Sequence, residues 1–471
     1  MLSERLLTGA LRVLNRGYMS QEPMDIAQFP DPEPGRQYSL YIHIPFCERL
    51  CPYCSFNRFL YGEDRARSYF TTLRTELERS AERGFDFRAL YIGGGTPTIL
   101  VDELCTTIDL ARSLYPQIGE VSAESSPNHI TDETISALKD RVQRFSVGVQ
   151  SFDDGLLNQM ARYDKYGCGD AVFERVAYAA GKFHLLNVDM MFNFPSQTLA
   201  MLEKDVARVK LTGADQTTFY PLMASPKNRK ELARTIGAMD YAREAEYYRV
   251  VCDGLAPEFE PASAWTFSRD KGGMIDEYIV DYEEYVGLGS GAMSYVGGRL
   301  YNNTFSLDGY RSRIQEGRSA IAKAGKPYDT LGRMRYRFVT ELFGLRLDKQ
   351  RFKADFGVPI ERALPLEMTF MKLAGGIDVN DERWVTLTPR GRYLLLVIMR
   401  ETLANSNDFR DHEREMLPAH EKVLLNDTGV VPCGPRPSGS APRAEGAPGA
   451  LASPPHGIGR VSSSRLRRPI P

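Results

Sequence analysis

The sequence predicts an α/β protein in which a partial, TIM-like (β/α)6 barrel is followed by a mostly helical, winged-helix-like C-terminal domain. Between residues 39 and 221, six short apolar runs alternate with amphipathic helical segments. Repeated strand–helix units indicate a parallel sheet with right-handed crossovers, and six units are too few for a closed eightfold barrel. After residue 330 the pattern is helical, apart from one strand-like stretch at 384–389.

The barrel prediction depends on the periodicity of each element in turn. The predicted strands span residues 39–44, 88–92, 120–124, 144–149, 185–192 and 216–221. The predicted helices span residues 64–83, 102–114, 132–139, 153–161, 169–183 and 199–211. In the first helix, apolar side chains recur every four residues, which places them on one face. Ligands of parallel sheets bind at the carboxyl ends of the strands, so polar residues at those ends are candidate site residues.

Composition divides the chain into five predicted segments. They are an N-terminal extension (1–36), the core barrel (37–222), a connecting region that completes the core (223–330), the C-terminal helical, winged-helix-like domain (331–425) and a disordered tail (426–471). Leucines at helical spacing in the extension predict a short helix, either packed on the barrel or serving as a membrane-surface or targeting helix. The tail is rich in Pro, Gly, Ser, Ala and Arg and has few bulky apolar side chains to bury.

Charge and hydropathy restrict the partners and the location of the protein. With a formal net charge of −2, the 471-residue chain lacks the positive field that would predict nucleic-acid binding. The longest apolar run, residues 394–399, is too short to cross a bilayer, and no secretory signal pattern opens the sequence. We therefore expect a cytoplasmic protein with neither a nucleic-acid nor a membrane partner.

Three of the seven cysteines stand close together. An odd number of cysteines in a large, apparently cytosolic chain argues against a disulfide framework. Cys47, Cys51 and Cys54 follow a predicted strand at offsets of four and three residues. A zinc site would usually need four protein ligands, whereas three thiolates suit a [4Fe–4S] cubane with one open iron. Mononuclear zinc and merely packed cysteines are the alternatives.

A glycine triplet follows the second predicted strand. Gly93, Gly94 and Gly95 precede Thr96, and glycines let the backbone approach a ligand closely. Taken alone, the triplet is equally consistent with a tight turn between strand and helix. Because it lies one strand–helix unit after the cysteine loop, we expect it to lie beside the cluster and contribute to a cofactor site.

Five long motifs together resemble a known group of proteins. They are YIHIPFCERLCPYC, LYIGGGTPTIL, FSVGVQSFDDGLLNQMAR, NVDMMFNFPSQT and VGLGSGAMS, within residues 38–401. The chain resembles the branch of the radical S-adenosylmethionine (SAM) superfamily that contains oxygen-independent coproporphyrinogen III oxidase and its haem-chaperone relatives. The resemblance implies a barrel of the radical SAM type, with a [4Fe–4S] cluster and S-adenosylmethionine as cofactors.

The resemblance also assigns roles to single residues. It implies that the cluster ligands are Cys47, Cys51 and Cys54. It implies that cofactor contacts are made by Tyr41, Tyr53, Gly94, Gly95, Thr96, Glu124, Gln150, Arg162, Asp189 and Met293. Glu124 and Asp189 can accept hydrogen bonds from ribose hydroxyls, and Arg162 can hold a carboxylate with two hydrogen bonds. The resemblance identifies no catalytic side chain.

The implied reaction is oxidative decarboxylation of porphyrinogen propionates to vinyl groups through a 5′-deoxyadenosyl radical, in porphyrin and haem biosynthesis. Its partners would be a porphyrinogen or other tetrapyrrole and an external one-electron reductant. The alternatives are a haem chaperone of the same superfamily and a class C radical SAM methyltransferase. The chain departs from the oxidase pattern at Phe56, where the oxidase has a further cysteine, and from the chaperone pattern after Arg162, where Tyr163 and Asp164 replace the usual histidine.

Overall fold

This computed structural model describes residues 21–270 and 284–425. One mixed sheet of thirteen strands forms the centre of the described chain. The strands of the chain are β1 Gln21–Pro23, β2 Gln37–Ile44, β3 Phe46–Cys47, β4 Phe59–Leu60, β5 Asp86–Gly94, β6 Glu120–Ser125, β7 Arg144–Gln150, β8 Leu185–Phe192, β9 Gln216–Pro221, β10 Glu260–Pro261, β11 Thr266–Ser268, β12 Tyr285–Leu288, β13 Met293–Val296, β14 Arg299–Asn303, β15 Ile321–Gly325, β16 Arg346–Asp348, β17 Ile377–Asn380 and β18 Trp384–Leu387. The large sheet has the order β1-β15-β14-β13-β12-β2-β5-β6-β7-β8-β9-β11-β10.

Helices connect the parallel strands and make up most of the C-terminal part. The α-helices span Glu63–Ala81, Val101–Leu114, Asp132–Leu138, Asp154–Gln159, Tyr163–Tyr166, Gly169–Ala179, Leu199–Leu211, Pro226–Thr235, Glu244–Leu255, Leu307–Gln315, Thr330–Phe343, Lys349–Phe356, Ile360–Ala363, Pro365–Leu373, Pro389–Glu415 and Ala419–Lys422. Short 3-10 helices span Pro97–Leu100, Pro127–His129 and Val423–Leu425. The α/β fold class is therefore confirmed, and the six predicted strands are all present.

A seventh parallel strand completes the centre of the sheet. In the described part of the chain, β12, β2, β5, β6, β7, β8 and β9 run parallel to one another. The glycine-rich motif VGLGSGAMS begins within this strand, because β12 includes Val286, Gly287 and Leu288. Gly287 is required because a Cβ atom there would lie 2.1 Å from the Met293 carbonyl oxygen. A four-residue strand that contains glycine is too short and too poor in side chains to show a strand pattern.

The register between β2 and β5 places the two predicted motifs side by side. Ile44, the last residue of β2, pairs with Gly94 at the end of β5. Past that point, the Gly95 amide donates to the Ile44 carbonyl at 2.8 Å, and the Thr96 amide donates to the Phe46 carbonyl at 2.8 Å. The glycine triplet is therefore hydrogen-bonded directly to the start of the cysteine loop.

The C-terminal part contains a three-stranded antiparallel sheet, β16-β18-β17, and a long final helix. Thr388 accepts a hydrogen bond from the Gly391 amide and caps this helix, Pro389–Glu415, with proline at its first position. Polar residues continue the helix beyond its apolar stretch. The winged-helix-like description and the five segment boundaries stay predictions. The predicted N-terminal helix, the predicted disordered tail and Cys433 lie outside the described residues.

The long helix, Pro389–Glu415, returns to the cysteine loop. The Arg414 guanidinium donates to the carbonyl oxygens of Cys54 at 3.3 Å and Phe56 at 3.2 Å. The Ser55 hydroxyl donates to the Asp411 carboxylate at 3.3 Å. The last turns of this helix therefore support the backbone of a loop that lies some 360 residues earlier in the chain.

Glu76 holds the glycine-rich segment 287–291 in place through hydrogen bonds. Its buried carboxylate accepts the Gly289 amide at 2.8 Å and the Tyr310 hydroxyl at 2.7 Å. Tyr69, on the same helix, accepts from the Ser290 amide at 2.9 Å and donates to the His43 carbonyl at 2.8 Å. Burial raises the pKa of Glu76 to about 7, although both of these hydrogen bonds act in the opposite direction. Helix Glu63–Ala81 thus connects the glycine loop to the end of β2.

Within residues 21–270 and 284–425, no helix combines the length and the apolar character that a membrane span requires.

We predict that the Glu76→Gln substitution flattens the dependence of stability on pH. A carboxyl group with a raised pKa in the folded state stabilises the fold below the unfolded pKa of about 4.5 and loses that contribution as the pH rises through about 7. The wild-type protein should lose roughly 3 kcal/mol of unfolding free energy more than the variant over this interval. Denaturant unfolding at pH 5 and pH 8 measures the difference.

Glu78→Gln, an exposed position on the same helix, is the matched control and should keep the wild-type profile. Burial also raises the pKa of Asp205 to about 7, but this carboxyl group is present in both proteins and cancels in the comparison. Equal slopes for wild type and Glu76→Gln would contradict the prediction.

Candidate active site

A cavity of about 580 Å³ opens at the carboxyl ends of the parallel strands. All of the site residues that the sequence predicted lie in its wall: Cys47, Cys51, Cys54, Tyr41, Tyr53, Gly94, Gly95, Thr96, Glu124, Gln150, Arg162, Asp189 and Met293. This is the position at which parallel α/β sheets bind ligands. The roles of these residues as cofactor contacts stay predictions, but their convergence on one cavity is what those roles require.

The cysteine loop is closed at its base by a small parallel ladder. β3 pairs with β4, so that Cys47 lies opposite Leu60. The Phe59 amide donates to the Pro45 carbonyl at 2.7 Å, and the Tyr61 amide donates to the Cys47 carbonyl at 2.9 Å. The ladder holds the two ends of the loop together. Cys47 lies in β3, and Cys51 and Cys54 lie between β3 and β4.

Three cations surround the thiols. An Arg162 nitrogen lies 3.5 Å from the Cys51 sulfur, and Arg58 donates to the Cys51 carbonyl oxygen at 2.6 Å. Arg162 and Lys165 both lie over the Tyr166 ring, at 4.5 and 4.7 Å from its centroid. Burial pushes the pKa of the Cys51 thiol upward, but Arg162, Lys165 and Arg58 outweigh it and bring the net pKa below its ordinary value. The surroundings of Cys51 therefore favour the thiolate form of its side chain.

Cys47 is in a different environment. It is buried, and burial raises the pKa of its thiol to about 11. The Thr96 hydroxyl lies 4.0 Å from its sulfur. A Cβ atom on Gly95 would lie 2.5 Å from the Phe46 carbonyl oxygen and 2.9 Å from the Cys47 sulfur. Only glycine leaves room at this position, which explains why the triplet must reach at least to residue 95.

The spacing of the sulfur atoms favours a cluster over a single metal ion. Two sulfurs on one zinc ion lie at most about 4.6 Å apart, because each zinc–sulfur bond is about 2.3 Å long. Among the described residues, the three cysteine sulfurs do not form a group whose atoms all lie within 4.8 Å of one another. Three separated thiols next to compensating cations fit a polynuclear iron–sulfur cluster.

Two strands each contribute a carboxylate to the cavity wall. Glu124, on β6, accepts the Tyr91 hydroxyl at 2.8 Å and the Gly94 amide at 3.0 Å. Asp189, on β8, accepts from Ser146 at 2.8 Å and from Asn187 at 2.7 Å. These hydrogen bonds fix the orientation of both side chains before any ligand arrives, which lowers the entropy cost of binding.

The remaining predicted residues border the same space. Tyr41 shares a hydrogen bond of 2.7 Å with Nδ1 of His43, whose pKa is lowered to about 4 by burial. Tyr53 meets the Phe194 ring edge-on at a centroid distance of 6.4 Å. Gln150 ends β7 with a positive φ of 75°. Met293 begins β13, and its sulfur lies 3.7 Å from an Arg410 nitrogen.

Sequence reasoning missed the residues that the C-terminal helices bring to the cavity. Arg410 lines it, with its guanidinium carbon 4.6 Å from the Phe56 ring centroid and a nitrogen 3.0 Å from the Asn407 side-chain oxygen. Within the part of the chain that the structure describes, Arg410 makes no salt bridge. No local motif signals its role, because its proximity to the cysteine loop arises only from tertiary folding.

Comparison with known proteins identifies the family. A profile described as "Radical SAM superfamily" matches residues 41–209. The heme chaperone HemW of Bacillus subtilis is 31% identical to the chain over 378 residues, which cover 76% of this chain and 96% of that protein. The chain belongs to the radical SAM superfamily. As a superfamily member it uses a [4Fe–4S] cluster and S-adenosylmethionine, which confirms the cofactor prediction.

Oxidases are also among the relatives. The oxygen-independent coproporphyrinogen III oxidase of Paracoccus denitrificans is 26% identical over 397 residues, or 78% of this chain and 86% of the oxidase. The solved structure of coproporphyrinogen III oxidase (HemN) from Escherichia coli superimposes with a TM-score of 0.65 and 20% identity, covering 83% of this chain and 98% of the oxidase. That structural likeness confirms the radical SAM fold. The relatives include both chaperones and oxidases, so the family alone does not choose between them.

We predict that each of Cys47→Ala, Cys51→Ala and Cys54→Ala abolishes cluster assembly. Anaerobically reconstituted wild-type protein should hold about four irons and four sulfides, as a cubane requires. The matched controls Cys105→Ala and Cys252→Ala should keep this content, because both residues pack against the core and neither lines the cavity. Analysis of iron and acid-labile sulfide measures the cluster content of each protein. Stoichiometric zinc without sulfide in the wild-type protein would refute the cluster assignment.

Arg162→Lys should weaken S-adenosylmethionine binding tenfold to a hundredfold. Lysine keeps the positive charge but cannot offer two parallel donors, so one charge-assisted contact worth about 1.5–3 kcal/mol is lost. Equilibrium dialysis of the reconstituted proteins measures the affinity, and iron content should be unchanged. Arg175→Lys is the control, because this arginine holds the Tyr166 carbonyl and does not line the cavity. Equal affinity in Arg162→Lys and wild type would remove Arg162 from the cofactor contacts.

Proposed function

We propose that the protein is a radical SAM enzyme of the coproporphyrinogen III oxidase type, which oxidatively decarboxylates propionate side chains of a porphyrinogen to vinyl groups. The observation that carries the proposal is the continuity of one cavity, whose wall contains the cysteine loop, an aromatic surface and Arg410. A substrate in this cavity lies beside the cofactor site rather than apart from it. When bound, the cluster and S-adenosylmethionine supply a 5′-deoxyadenosyl radical that can abstract a substrate hydrogen.

Different residues of the cavity wall would contact different parts of the cofactors. Cys47, Cys51 and Cys54 hold the cluster. Glu124 and Asp189 accept from ribose hydroxyls, and Arg162 donates to the carboxylate of S-adenosylmethionine. Gly94, Gly95 and Thr96 present the backbone edge of the β5 turn, while Tyr41, Tyr53, Gln150 and Met293 border the remaining surface.

The aromatic and apolar side chains of the cavity wall suit a flat, largely apolar ring. They include Tyr220, Trp265, Tyr285, Leu300, Tyr336, Met399 and Leu403. These side chains come from the sheet and from two C-terminal helices, so the C-terminal part closes the cavity over the sheet. Apolar closure excludes water, which protects a reactive intermediate from side reactions. A tetrapyrrole combines the planar apolar surface with the carboxylates that such a cavity can bind.

Arg410 is the anchor that we propose for a substrate carboxylate. It makes no salt bridge with any described residue. Burial raises the pKa of Tyr285 to about 12, and the positive charge of Arg410 opposes part of this rise. A partly buried arginine gains most from a carboxylate partner, because the pair forms two parallel charge-assisted hydrogen bonds. Each decarboxylation would release one carbon dioxide from the anchored propionate, transfer one hydrogen atom to the 5′-deoxyadenosyl radical and pass one electron to an external one-electron acceptor. The electron that initiates the reaction would come from an external one-electron donor.

A haem chaperone is the second candidate, and a specific observation favours it. Phe56 occupies the position of the additional oxidase cysteine, and it lies 42% exposed on the loop beneath Arg410. The Bacillus subtilis relative that the chain matches over 96% of its length is named a heme chaperone. In this alternative the cavity would bind haem by the same apolar wall and the same arginine, without turnover. A cytoplasmic location stays a prediction for both candidates.

The experiment that tests the proposal is anaerobic incubation of the reconstituted protein with coproporphyrinogen III, S-adenosylmethionine and dithionite. We expect products that have lost carbon dioxide and two hydrogens per propionate, together with 5′-deoxyadenosine, by mass spectrometry. Arg410→Gln should raise the substrate KM about tenfold to a hundredfold, because one charge-assisted carboxylate contact is lost. Its iron content and S-adenosylmethionine affinity should remain those of the wild type.

Arg234→Gln, an exposed position on helix Pro226–Thr235, is the control for loss of a positive charge and should have the wild-type KM. If no product forms but the protein binds one haem and loses affinity in Arg410→Gln, the chaperone candidate replaces the oxidase. If neither a porphyrinogen nor haem is bound, the assignment of a tetrapyrrole to the cavity is wrong.

A further inference from the structure

Asp308, His420 and Glu421 form a compact group outside the cavity. One potential ligand atom from each lies within 4.8 Å of the other two, and none of the three residues lines the active-site cavity. The imidazole Nε2 of His420 lies 2.8 Å from an Asp308 carboxylate oxygen, and both of these side chains are exposed. The group therefore combines one imidazole nitrogen with two carboxylates, a common set of ligands for divalent transition metals.

Glu421 is the unusual member of this group, because it is only 2% exposed. Its Oε1 atom accepts the Ser306 hydroxyl at 2.9 Å and the Asp308 amide at 2.8 Å. Its Oε2 atom is buried and has no hydrogen-bond partner among residues 21–270 and 284–425. No salt bridge to Glu421 exists among the described residues. A buried carboxylate oxygen without a partner is costly unless a cation compensates it.

We propose that Asp308, His420 and Glu421 bind one divalent transition-metal ion of the Zn²⁺ or Mn²⁺ type. Bonds of about 2.0–2.2 Å from a zinc ion to nitrogen and oxygen place neighbouring ligand atoms about 3 Å apart. The exposed side chains of Asp308 and His420 can rotate by the small amount that this requires, while Glu421 is held in place by its two hydrogen bonds. Water completes the coordination. The imidazole ligand disfavours Mg²⁺, which prefers oxygen ligands.

The position of the site indicates a structural role. Asp308 lies in the first turn of helix Leu307–Gln315, and the neighbouring Phe305 carbonyl accepts from the Asn57 side chain of the cysteine loop at 3.2 Å. His420 and Glu421 follow the long helix whose Arg414 holds the Cys54 carbonyl. A metal ion here would join two segments that each contact the cysteine loop a few residues away. It would hold the loop in place without touching the cluster.

A capping role alone is the competing explanation for these residues. Glu421 would then only accept hydrogen bonds at the start of helix Leu307–Gln315, and His420 and Asp308 would form a surface ion pair of little energetic value. That explanation leaves the Oε2 atom of Glu421 unaccounted for, and it predicts no specific metal binding. The two explanations differ in metal stoichiometry, which can be measured directly.

The test is a metal titration of the full-length, tag-free protein with its iron–sulfur cluster assembled, so that the cysteines are occupied. Mn²⁺ binding is followed by electron paramagnetic resonance and Zn²⁺ binding by calorimetry under anaerobic conditions. We expect one Mn²⁺ or Zn²⁺ per chain in addition to the cluster iron, and no comparable binding of Mg²⁺. His420→Ala and Glu421→Gln should each weaken binding at least tenfold. His412→Ala, an exposed histidine on the long helix, should bind as the wild type does.

His420→Ala is the decisive variant, because His420 is 66% exposed and its loss should leave the fold intact. Zn²⁺ should raise the melting temperature of the wild type and of His412→Ala but not that of His420→Ala. Equal binding by wild type and His420→Ala, or no stoichiometric binding by the wild type at all, would overturn the proposal and leave the capping explanation. The result does not depend on the substrate assay, so failure here and failure of the proposed function are distinguishable.

Discussion

The pairing of β2 with β5 is the constraint on which the site depends. Because Ile44 stands opposite Gly94, the cysteine loop and the glycine turn leave the sheet side by side and are joined by the Gly95 and Thr96 amides. A shift of one residue in this register would turn the side chains of β2 to the opposite face of the sheet and break both hydrogen bonds. The later strands then add Glu124 and Asp189 to the same edge of the sheet.

The cysteine loop concentrates negative charge in a partly buried place, and the surrounding elements compensate for it. Arg58 comes from the loop itself, Arg162 and Lys165 come from the segment after β7, and Arg414 comes from the long C-terminal helix. A buried charge is tolerated only where opposite charges and hydrogen bonds accompany it. The cations therefore compensate charge on the cysteine loop itself. They make it possible for three thiolates to share one loop.

The six parallel strands could be predicted from the local sequence pattern, whereas the candidate cofactor contacts came from the family resemblance. Alternating apolar and amphipathic segments predict a parallel sheet, and a parallel sheet brings the ends of its strands together whatever the loops do. The sequence could not predict β12, whose glycine and short length hide its strand character. Nor could it predict Arg410 or the group of Asp308, His420 and Glu421, because these contacts join segments that are distant in the chain. Gln150 needed the resemblance, since a positive φ in a non-glycine residue has no sequence signal.

The contact between the long helix and the cysteine loop has a consequence for when the loop becomes supported. Arg414 reaches the Cys54 carbonyl across 360 positions of sequence. While the chain is being synthesised, the loop and its neighbouring strands leave the ribosome long before the helix that supports them. The loop therefore gains its support from Arg414 only after helix Pro389–Glu415 has been made and has packed against it. Truncation before this helix would leave the cysteines in place but remove a contact that holds their backbone.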